Sequence, residues 1–189
     1  MTTAHPLHYD YADYLASLDA SSLKLEYYRG VICAMTGGTR AHAELAAATI
    51  VALASALPKT CRIATSDLKI RIDESDLSTF PDVSVVCGEP RSSSIDPNAL
   101  TNPTLLVEVT SRSTEDYDRG EKLRHYQRIA SLQAVLLVSH RAPVVTVVAR
   151  EGAGFVEHDV ALGEEISLPV LGASFPVNAI YDGIELDGA

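Results

Sequence analysis

The chain has 189 residues, of which 47% are hydrophobic and 21% are charged, and its formal net charge is -10 at pH 7. This composition is typical of one folded domain and excludes an extensively disordered protein. The acidic balance also argues against a general nucleic-acid-coating protein, because nonspecific affinity for phosphate rises with basic charge, but it is compatible with a local basic groove.

Features that report on location favour the cytoplasm. The N-terminal residues lack the basic and apolar segments of a signal peptide, and the longest stretch of low polarity, residues 46–57, is too short to span a bilayer. The three cysteines, Cys33, Cys61 and Cys87, are odd in number and widely spaced. We therefore expect buried or partly buried thiols in a reducing compartment, and neither a disulfide framework nor a zinc ribbon.

Apolar periodicity and turn residues predict helices and strands that alternate along the chain. The clearest helix ends before Pro58, and a hairpin turns at Arg29-Gly30. Neither a repeat nor a linker interrupts the pattern, so we predict a single α/β domain over residues 1–189. The predicted elements are helix 10–18, hairpin 24–35, helix 41–57, one or two strands in 61–73, strands 82–88 and 104–109, helix 115–130, strands 134–139, 143–150 and 155–160, and short strands and turns in 167–182.

One predicted strand carries a carboxylate where an apolar side chain is expected. Glu108 lies between two valines in strand 104–109, and an isolated ionised carboxylate in an apolar site costs several kcal/mol. Asp82 begins another apolar strand, directly after Pro81. If the two strands are neighbours, both carboxylates converge at one end of a sheet, and oxygen-rich clusters of this kind suit Mg²⁺ or Mn²⁺. Without a cation between them, the pKa of one carboxylate should rise.

Lys122 supplies the third group of this candidate site. By helical spacing it shares a face with Tyr126 and Ile129, so its side chain points toward the core side of the helix or its edge, where Asp82 and Glu108 can balance its charge. Two carboxylates that hold a divalent metal, together with one lysine, suit phosphodiester hydrolysis. The metal polarises a phosphoryl oxygen and lowers the pKa of bound water, and the lysine stabilises developing charge or orients the nucleophile.

Each of these residues also has an interpretation without a catalytic role. Asp82 after Pro81 is typical of a turn that enters a strand. Lys122 can extend along the helix surface to water. Glu108 can form a structural ion pair with Arg112 or Lys122.

Basic and acidic residues interleave along the segment that contains Lys122. Such a segment is typical either of a solvated helix face with i,i+4 pairs or of a basic edge that meets a phosphate backbone. The basic residues are Arg112, Arg119, Lys122, Arg124 and Arg128, and the acidic residues are Glu115, Asp116, Asp118 and Glu121.

Four segments carry a resemblance to a known family. Pro81-Asp82 matches a "PD" motif, and residues 105–114 (LLVEVTSRST) form an acidic strand followed by a Ser/Thr-rich turn. Residues 118–126 (DRGEKLRHY) form a helix, and residues 25–30 (LEYYRG) form an N-terminal signature. In these features the chain resembles the Uma-two-type family of restriction endonucleases, a domain-of-unknown-function group within the PD-(D/E)XK nuclease superfamily. The likeness covers nearly the whole chain.

The sequence departs from the family pattern at several positions. Thr110 stands two residues after the acidic residue, where the superfamily has its lysine, and the resemblance implies that Lys122 on the helix replaces it. Arg29 and Val31 stand where acidic residues are common in the N-terminal signature, so the role of Glu26 is less secure. The signature also includes His42, for which either an approach to the site or a structural role is open.

The resemblance implies a restriction-endonuclease-like fold, in which a mixed β-sheet is flanked by α-helices, here with an N-terminal β-hairpin extension. It implies Asp82, Glu108 and Lys122 as catalytic residues, with Asp82 and Glu108 as ligands of Mg²⁺ or Mn²⁺. It further implies that the protein is a homodimer. The substrate that it implies is nucleic acid, with DNA expected over RNA.

Three functional hypotheses remain at this point. The first is a metal-dependent endonuclease, a hydrolase that cleaves phosphodiester bonds in DNA. The second is a non-catalytic dimeric binding or regulatory module that keeps the acidic cluster as a structural network. The third is a metal-dependent phosphoesterase that acts on a small substrate.

Overall fold

The structure of the chain, a computed structural model, describes residues 8–35 and 37–186. Its strands are β1 (Leu25–Tyr28), β2 (Val31–Ala34), β3 (Cys61–Thr65), β4 (Lys69–Ile72), β5 (Leu77–Thr79), β6 (Val83–Cys87), β7 (Ala99–Leu100), β8 (Leu105–Val109), β9 (Ala134–Val138), β10 (Val144–Glu151), β11 (Gly154–Ala161), β12 (Glu165–Leu168) and β13 (Ala173–Pro176). Its α-helices are α1 (Tyr11–Ala20), α2 (Arg40–Ala56), α3 (Glu115–Tyr117), α4 (Leu123–Tyr126) and α5 (Asn178–Tyr181), and a π-helical turn (Asp118–Lys122) joins α3 to α4.

A six-stranded mixed sheet forms the centre of the fold, with the strand order β11-β10-β9-β8-β6-β3. Strands β8 and β9 are parallel, whereas β6 and β8 are antiparallel. The register pairs Val83 at the start of β6 with Val107 near the end of β8. The start of β6 therefore lies beside the end of β8. This register places Asp82, which precedes β6, at the same end of the sheet as Glu108 of β8, as the sequence predicted.

Alternation along β8 assigns its side chains to two apolar layers. Leu105, Val107 and Val109 pack in the layer that contains α2, and Leu106 packs in the layer that contains α4 and the second sheet. Glu108 is one residue out of phase with the valines that flank it, so it faces the same layer as Leu106. A carboxylate is thereby placed beneath the helix that carries Lys122.

The predicted N-terminal hairpin is confirmed, and it extends into a second sheet. Strand β1 pairs with β2 on one side and with β5 on the other, which gives a five-stranded sheet in the order β2-β1-β5-β4-β7. Arg29 adopts a φ of 45° and Gly30 a φ of 83° at the hairpin turn, as expected for a two-residue turn between antiparallel strands. The hairpin thus carries its residues to the face that covers β8.

The helix predicted over residues 115–130 is shorter and less regular than expected. Its last helical residue is Tyr126, and residues 127–130 are not helical. A π-helical turn replaces regular α-helix between Asp118 and Lys122, a local irregularity that is frequent at functional sites. The prediction that Lys122 and Ile129 face the core is nevertheless confirmed, since each is 4–5% exposed.

The expectation of free thiols is wrong for two of the three cysteines. Cys61 and Cys87 lie directly opposite one another in the antiparallel pair of β3 and β6, with Cα atoms 3.9 Å apart, and they form a disulfide. Spacing along the chain did not reveal this pair, because the pairing register brings the two residues together. Cys33 is free as expected, but it is exposed and not buried. Within residues 8–35 and 37–186, no helix is both long enough and apolar enough to cross a membrane.

Candidate active site

A cleft of about 720 Å³ opens where β6 begins and β8 ends. Asp82, Glu108 and Lys122, the three residues predicted from the sequence, all line it. The structure therefore brings together the side chains that the sequence separates. Other side chains and backbone that line this active-site cleft include Gly38, Thr39, His42, Val109, Ser111, Arg112, Ser113, Thr114, Asp118 and His140.

Asp82 is held at the mouth of the cleft by groups from two elements. The backbone N–H of Val109, the last residue of β8, donates to its Oδ2 atom over 2.7 Å. Nε2 of His42, in the first turn of α2, lies 3.2 Å from the same oxygen. Donation of a hydrogen bond to the Asp82 carboxylate raises the pKa of His42, and burial of the imidazole opposes that rise. Both contacts use one oxygen of the carboxylate.

Glu108 is buried, with 4% of its surface exposed, and it contacts a cation and a hydroxyl. Nζ of Lys122 lies 2.9 Å from its Oε1 atom, and the hydroxyl of Tyr126 donates to the same atom. Burial raises the pKa of Glu108 to about 8, Lys122 opposes the rise, and Asp82 and Asp118 add to it. The predicted ion pair of Glu108 with Lys122 is thus present, and it lies within the cleft.

Lys122 is surrounded by more carboxylates than the sequence predicted. Besides Glu108, its Nζ lies 3.6 Å from Oδ1 of Asp118 and 3.8 Å from Oε1 of Glu26. Burial alone lowers the pKa of Lys122, but these carboxylates, Glu108 first, raise it well above its usual value. Lys122 is therefore held as an ammonium ion that lines the cleft, and an ammonium ion has no lone pair with which to accept a proton.

Asp118 and Glu26 are the residues that sequence reasoning did not assign to the site. Asp118 is 4% exposed, and burial raises its pKa while Lys122 opposes the rise. Its i,i+4 spacing to Lys122 was a signal for the contact, but the sequence could not show that both side chains turn inward. Glu26 reaches the site from β1 of the second sheet and accepts a hydrogen bond from the hydroxyl of Thr79.

His42 and Thr110 had uncertain roles in the sequence, and both occupy defined places. His42 lines the cleft and contacts Asp82 directly. Thr110, at the position where the superfamily has its lysine, is buried and lies 2.9 Å from Nδ1 of His140, through its hydroxyl. Lys122 rather than residue 110 therefore supplies the ammonium beside Glu108.

The chemistry of these donors fits a divalent cation that keeps much of its water. Within residues 8–35 and 37–186, no group of three or more His, Cys, Asp or Glu side chains is arranged to hold a metal ion. Asp82 and Glu108 are two carboxylates of the cleft that could hold a cation together with water, and Mg²⁺ is commonly bound through one or two carboxylates with several waters. The contacts of Asp82 given above all use its Oδ2 atom, and those of Glu108 all use its Oε1 atom. The other oxygen of each carboxylate can therefore serve as a ligand. Burial is the main cause of the raised pKa of Glu108, and the negative charges of Asp82 and Asp118, which add to the rise, are the part that a cation would offset.

Comparison with known proteins identifies the family. The family model described as "Uma2: Putative restriction endonuclease" matches residues 11–178. The chain belongs to the Uma2 family. The resemblance found in the sequence is thereby confirmed, and the match includes every residue of the cleft discussed above.

Two relatives of this Uma2 chain come from Synechocystis sp. (strain ATCC 27184 / PCC 6803 / Kazusa), and both are uncharacterized proteins. The first, slr1290, is 36% identical over 174 residues, which cover 91% of this chain and 90% of that protein. The second, sll1609, is 32% identical over 132 residues, which cover 67% of this chain and 72% of that protein.

A solved structure shares the fold of this Uma2 chain. It is the crystal structure of a putative nuclease belonging to DUF820 from Anabaena variabilis ATCC 29413, with a TM-score of 0.72 and 15% sequence identity. The alignment covers 93% of this chain and 98% of that chain. This likeness confirms the predicted nuclease-type α/β fold, and the catalytic and metal-binding roles of Asp82, Glu108 and Lys122 stay predictions.

Proposed function

We propose that the chain is a metal-dependent endonuclease that hydrolyses phosphodiester bonds in DNA. The observation that carries the proposal is the meeting of Asp82, Glu108 and Lys122 in one cleft, with Lys122 in direct contact with Glu108. Membership of a family described as restriction endonucleases supports the same reaction class.

Asp82 and Glu108 would hold Mg²⁺ or Mn²⁺ between them. When bound, the cation supplies Lewis-acid chemistry, since it polarises a phosphoryl oxygen and makes a bound water more acidic. The chain itself fixes the two carboxylates, Asp82 through the Val109 amide and Glu108 through the Tyr126 hydroxyl. Because these ligands are already fixed, the reacting groups lose little further conformational entropy when they are brought together.

Lys122 would stabilise the negative charge that develops on the phosphate. Its ammonium is held by Glu108, Asp118 and Glu26, and this keeps it charged and immobile at the floor of the cleft. Preorganised charge of this kind stabilises a transition state strongly, because it does not reorganise during the reaction. The role of proton acceptor then falls to water or to the substrate, and not to Lys122.

A binding or regulatory module without catalysis is the second candidate, and one observation favours it. Glu108 contacts both the ammonium of Lys122 and the hydroxyl of Tyr126, as it would in a buried structural network. This candidate predicts no binding of divalent cations and no cleavage. The homodimer implied by the family resemblance is a proposal for either candidate, and sedimentation velocity tests it.

The decisive experiment measures nicking of supercoiled plasmid with Mg²⁺ or Mn²⁺, and with EDTA as the negative condition. The wild type should convert plasmid to nicked and linear forms, and Asp82→Asn, Glu108→Gln and Lys122→Met should each remove that activity. Glu157→Gln, an exposed carboxylate on β11, is the matched control and should cleave normally. Cleavage that persists in Asp82→Asn would show that a contaminating nuclease or another site is responsible.

A further inference from the structure

Two groups from different elements contact the same oxygen of Asp82. The Val109 amide belongs to the central sheet, and it donates to Oδ2 from the end of β8. The His42 imidazole belongs to α2, and its Nε2 lies 3.2 Å from Oδ2. Asp82 precedes β6 and is not itself in a strand. Its orientation therefore depends on these two contacts and not on ladder pairing.

A glycine makes room for the imidazole. A Cβ atom added at Gly38 would lie 2.6 Å from Nδ1, 2.7 Å from Cγ and 3.1 Å from Cβ of His42. Two of these atoms are close to the backbone of α2, so the ring cannot avoid the clash by a small movement of its tip. The φ of Gly38 is not positive, so the backbone there suits any residue. The space beside the ring is what requires a glycine.

We propose that His42 is a positioning residue for Asp82. Its imidazole fixes Oδ2, so that the carboxylate keeps its other oxygen for a divalent cation, and Gly38 leaves the space that the ring needs. This inference rests on the proposed function in one respect, since it takes Asp82 as a metal ligand. It adds a role for the N-terminal end of α2, which holds none of the predicted catalytic residues.

Two effects of His42 on cation binding oppose one another. Hydrogen bonds to a ligating carboxylate orient it, and their loss commonly weakens metal affinity about 10- to 100-fold. A protonated imidazole would instead repel a cation, so that its removal would tighten binding. The proposal states that orientation outweighs repulsion, because the imidazole contacts an oxygen that the cation does not need.

The test is calorimetric titration of the apo protein with Mn²⁺ alone. We expect His42→Ala to raise the Kd about 10- to 100-fold, and we expect His42→Gln to recover part of the affinity, because its amide can donate to Asp82. His158→Ala is the matched control, since His158 is exposed on β11. Thermal unfolding of each variant distinguishes a positioning role from a purely structural one. A purely structural role would lower the melting temperature and leave the Kd of the folded protein unchanged.

A second pair of variants tests the role of the glycine. Gly38→Ala should weaken Mn²⁺ binding as His42→Ala does, whereas Gly37→Ala should not, since no described atom lies within 4 Å of a Cβ added at Gly37. Unchanged or tighter binding in His42→Ala overturns the inference, and so does a wild type that binds no Mn²⁺. The proposed nuclease fails separately if the wild type binds Mn²⁺ and cuts no DNA, because the ratio of affinities still decides the role of His42.

Discussion

Among the residues that the structure describes, two lysines, Lys69 and Lys122, are buried against carboxylates, and their surroundings differ. Lys69 and Asp96 are 4% and 2% exposed, with 2.6 Å between Nζ and Oδ2. Lys122 and Glu108 are each 4% exposed, with 2.9 Å between Nζ and Oε1. Burial and distance alone therefore do not distinguish a structural pair from a candidate site.

The difference lies in the charge balance and in access to solvent. Asp96 also accepts from the hydroxyl of Tyr11, and Lys69 lies 5.3 Å from the ring centre of Tyr14, so one positive charge meets one negative charge in a closed setting. Lys122 instead faces three carboxylates, and its surroundings open into the active-site cleft. The stability of the fold does not require an excess of carboxylates beside a cleft. A bound cation would be attracted by that excess of negative charge.

The largest expected effect comes from breaking the closed pair. Asp96→Asn leaves Lys69 buried without a counter-charge, so we expect the free energy of unfolding to fall by about 3–5 kcal/mol. Urea denaturation followed by circular dichroism measures the change. A loss below about 1 kcal/mol, the value of a single hydrogen bond, would mean that Tyr14 and water already balance Lys69.

The next effect sharpens the contrast by adding a cation. Mn²⁺ at about 100 times its Kd should raise the free energy of unfolding of the wild type by about 2.7 kcal/mol, because it binds only the folded state. Asp96→Asn should gain the same increment, since the closed pair lies outside the cleft. Asp82→Asn should gain little. Equal gains in Asp82→Asn and the wild type would place the cation elsewhere.

Breaking the open pair should have a small effect on stability. In Glu108→Gln, Lys122 still contacts Asp118 and Glu26, and the pKa of Glu108 is already raised to about 8 by burial, so a neutral side chain suits the position. We expect a loss of less than about 1 kcal/mol, comparable to one hydrogen bond, together with loss of plasmid cleavage. A loss as large as that of Asp96→Asn would favour the structural network over the nuclease.

Part of this arrangement could be predicted from the sequence, because local patterns determine it. Glu108 interrupts an apolar strand, Asp82 precedes another, and the antiparallel register of those strands makes their convergence a simple consequence. Lys122 followed from helical spacing to Tyr126, and the π-helical turn did not alter which way it points.

The rest depends on contacts between distant elements. Glu26 reaches Lys122 only because β1 joins the second sheet, and a four-residue strand gives no sign of that pairing. His42 meets Asp82 through the packing of α2 against the central sheet. The disulfide of Cys61 with Cys87 depends on a register that cysteine spacing does not encode.

The smallest expected effect concerns His125 on α4, a histidine outside the cleft lining that differs from His42 in its partners. Nδ1 of His125 lies 2.9 Å from the hydroxyl of Ser75, and Nε2 lies 3.7 Å from Oε1 of Glu121. Burial lowers the pKa of His125 below its usual 6.5, and Glu121 opposes the change only in part. The folded state therefore prefers the neutral imidazole, whereas a carboxylate partner raises the pKa of His42.

The sign of the pH dependence follows from this preference. The unfolded chain takes up a proton at a higher pH than folded His125, so stability is fully present above the unfolded pKa and is lost as pH falls through the lower, folded pKa. His125→Gln does not titrate, so its free energy of unfolding should decrease less than that of the wild type between about pH 7 and about pH 5. Urea denaturation at several pH values measures the difference, in which contributions from other titrating groups cancel. Parallel decreases in the two proteins would contradict this expectation, because they would mean that Glu121 fully offsets the cost of burying the protonated ring and that the pKa of His125 is the same in the folded and unfolded chain.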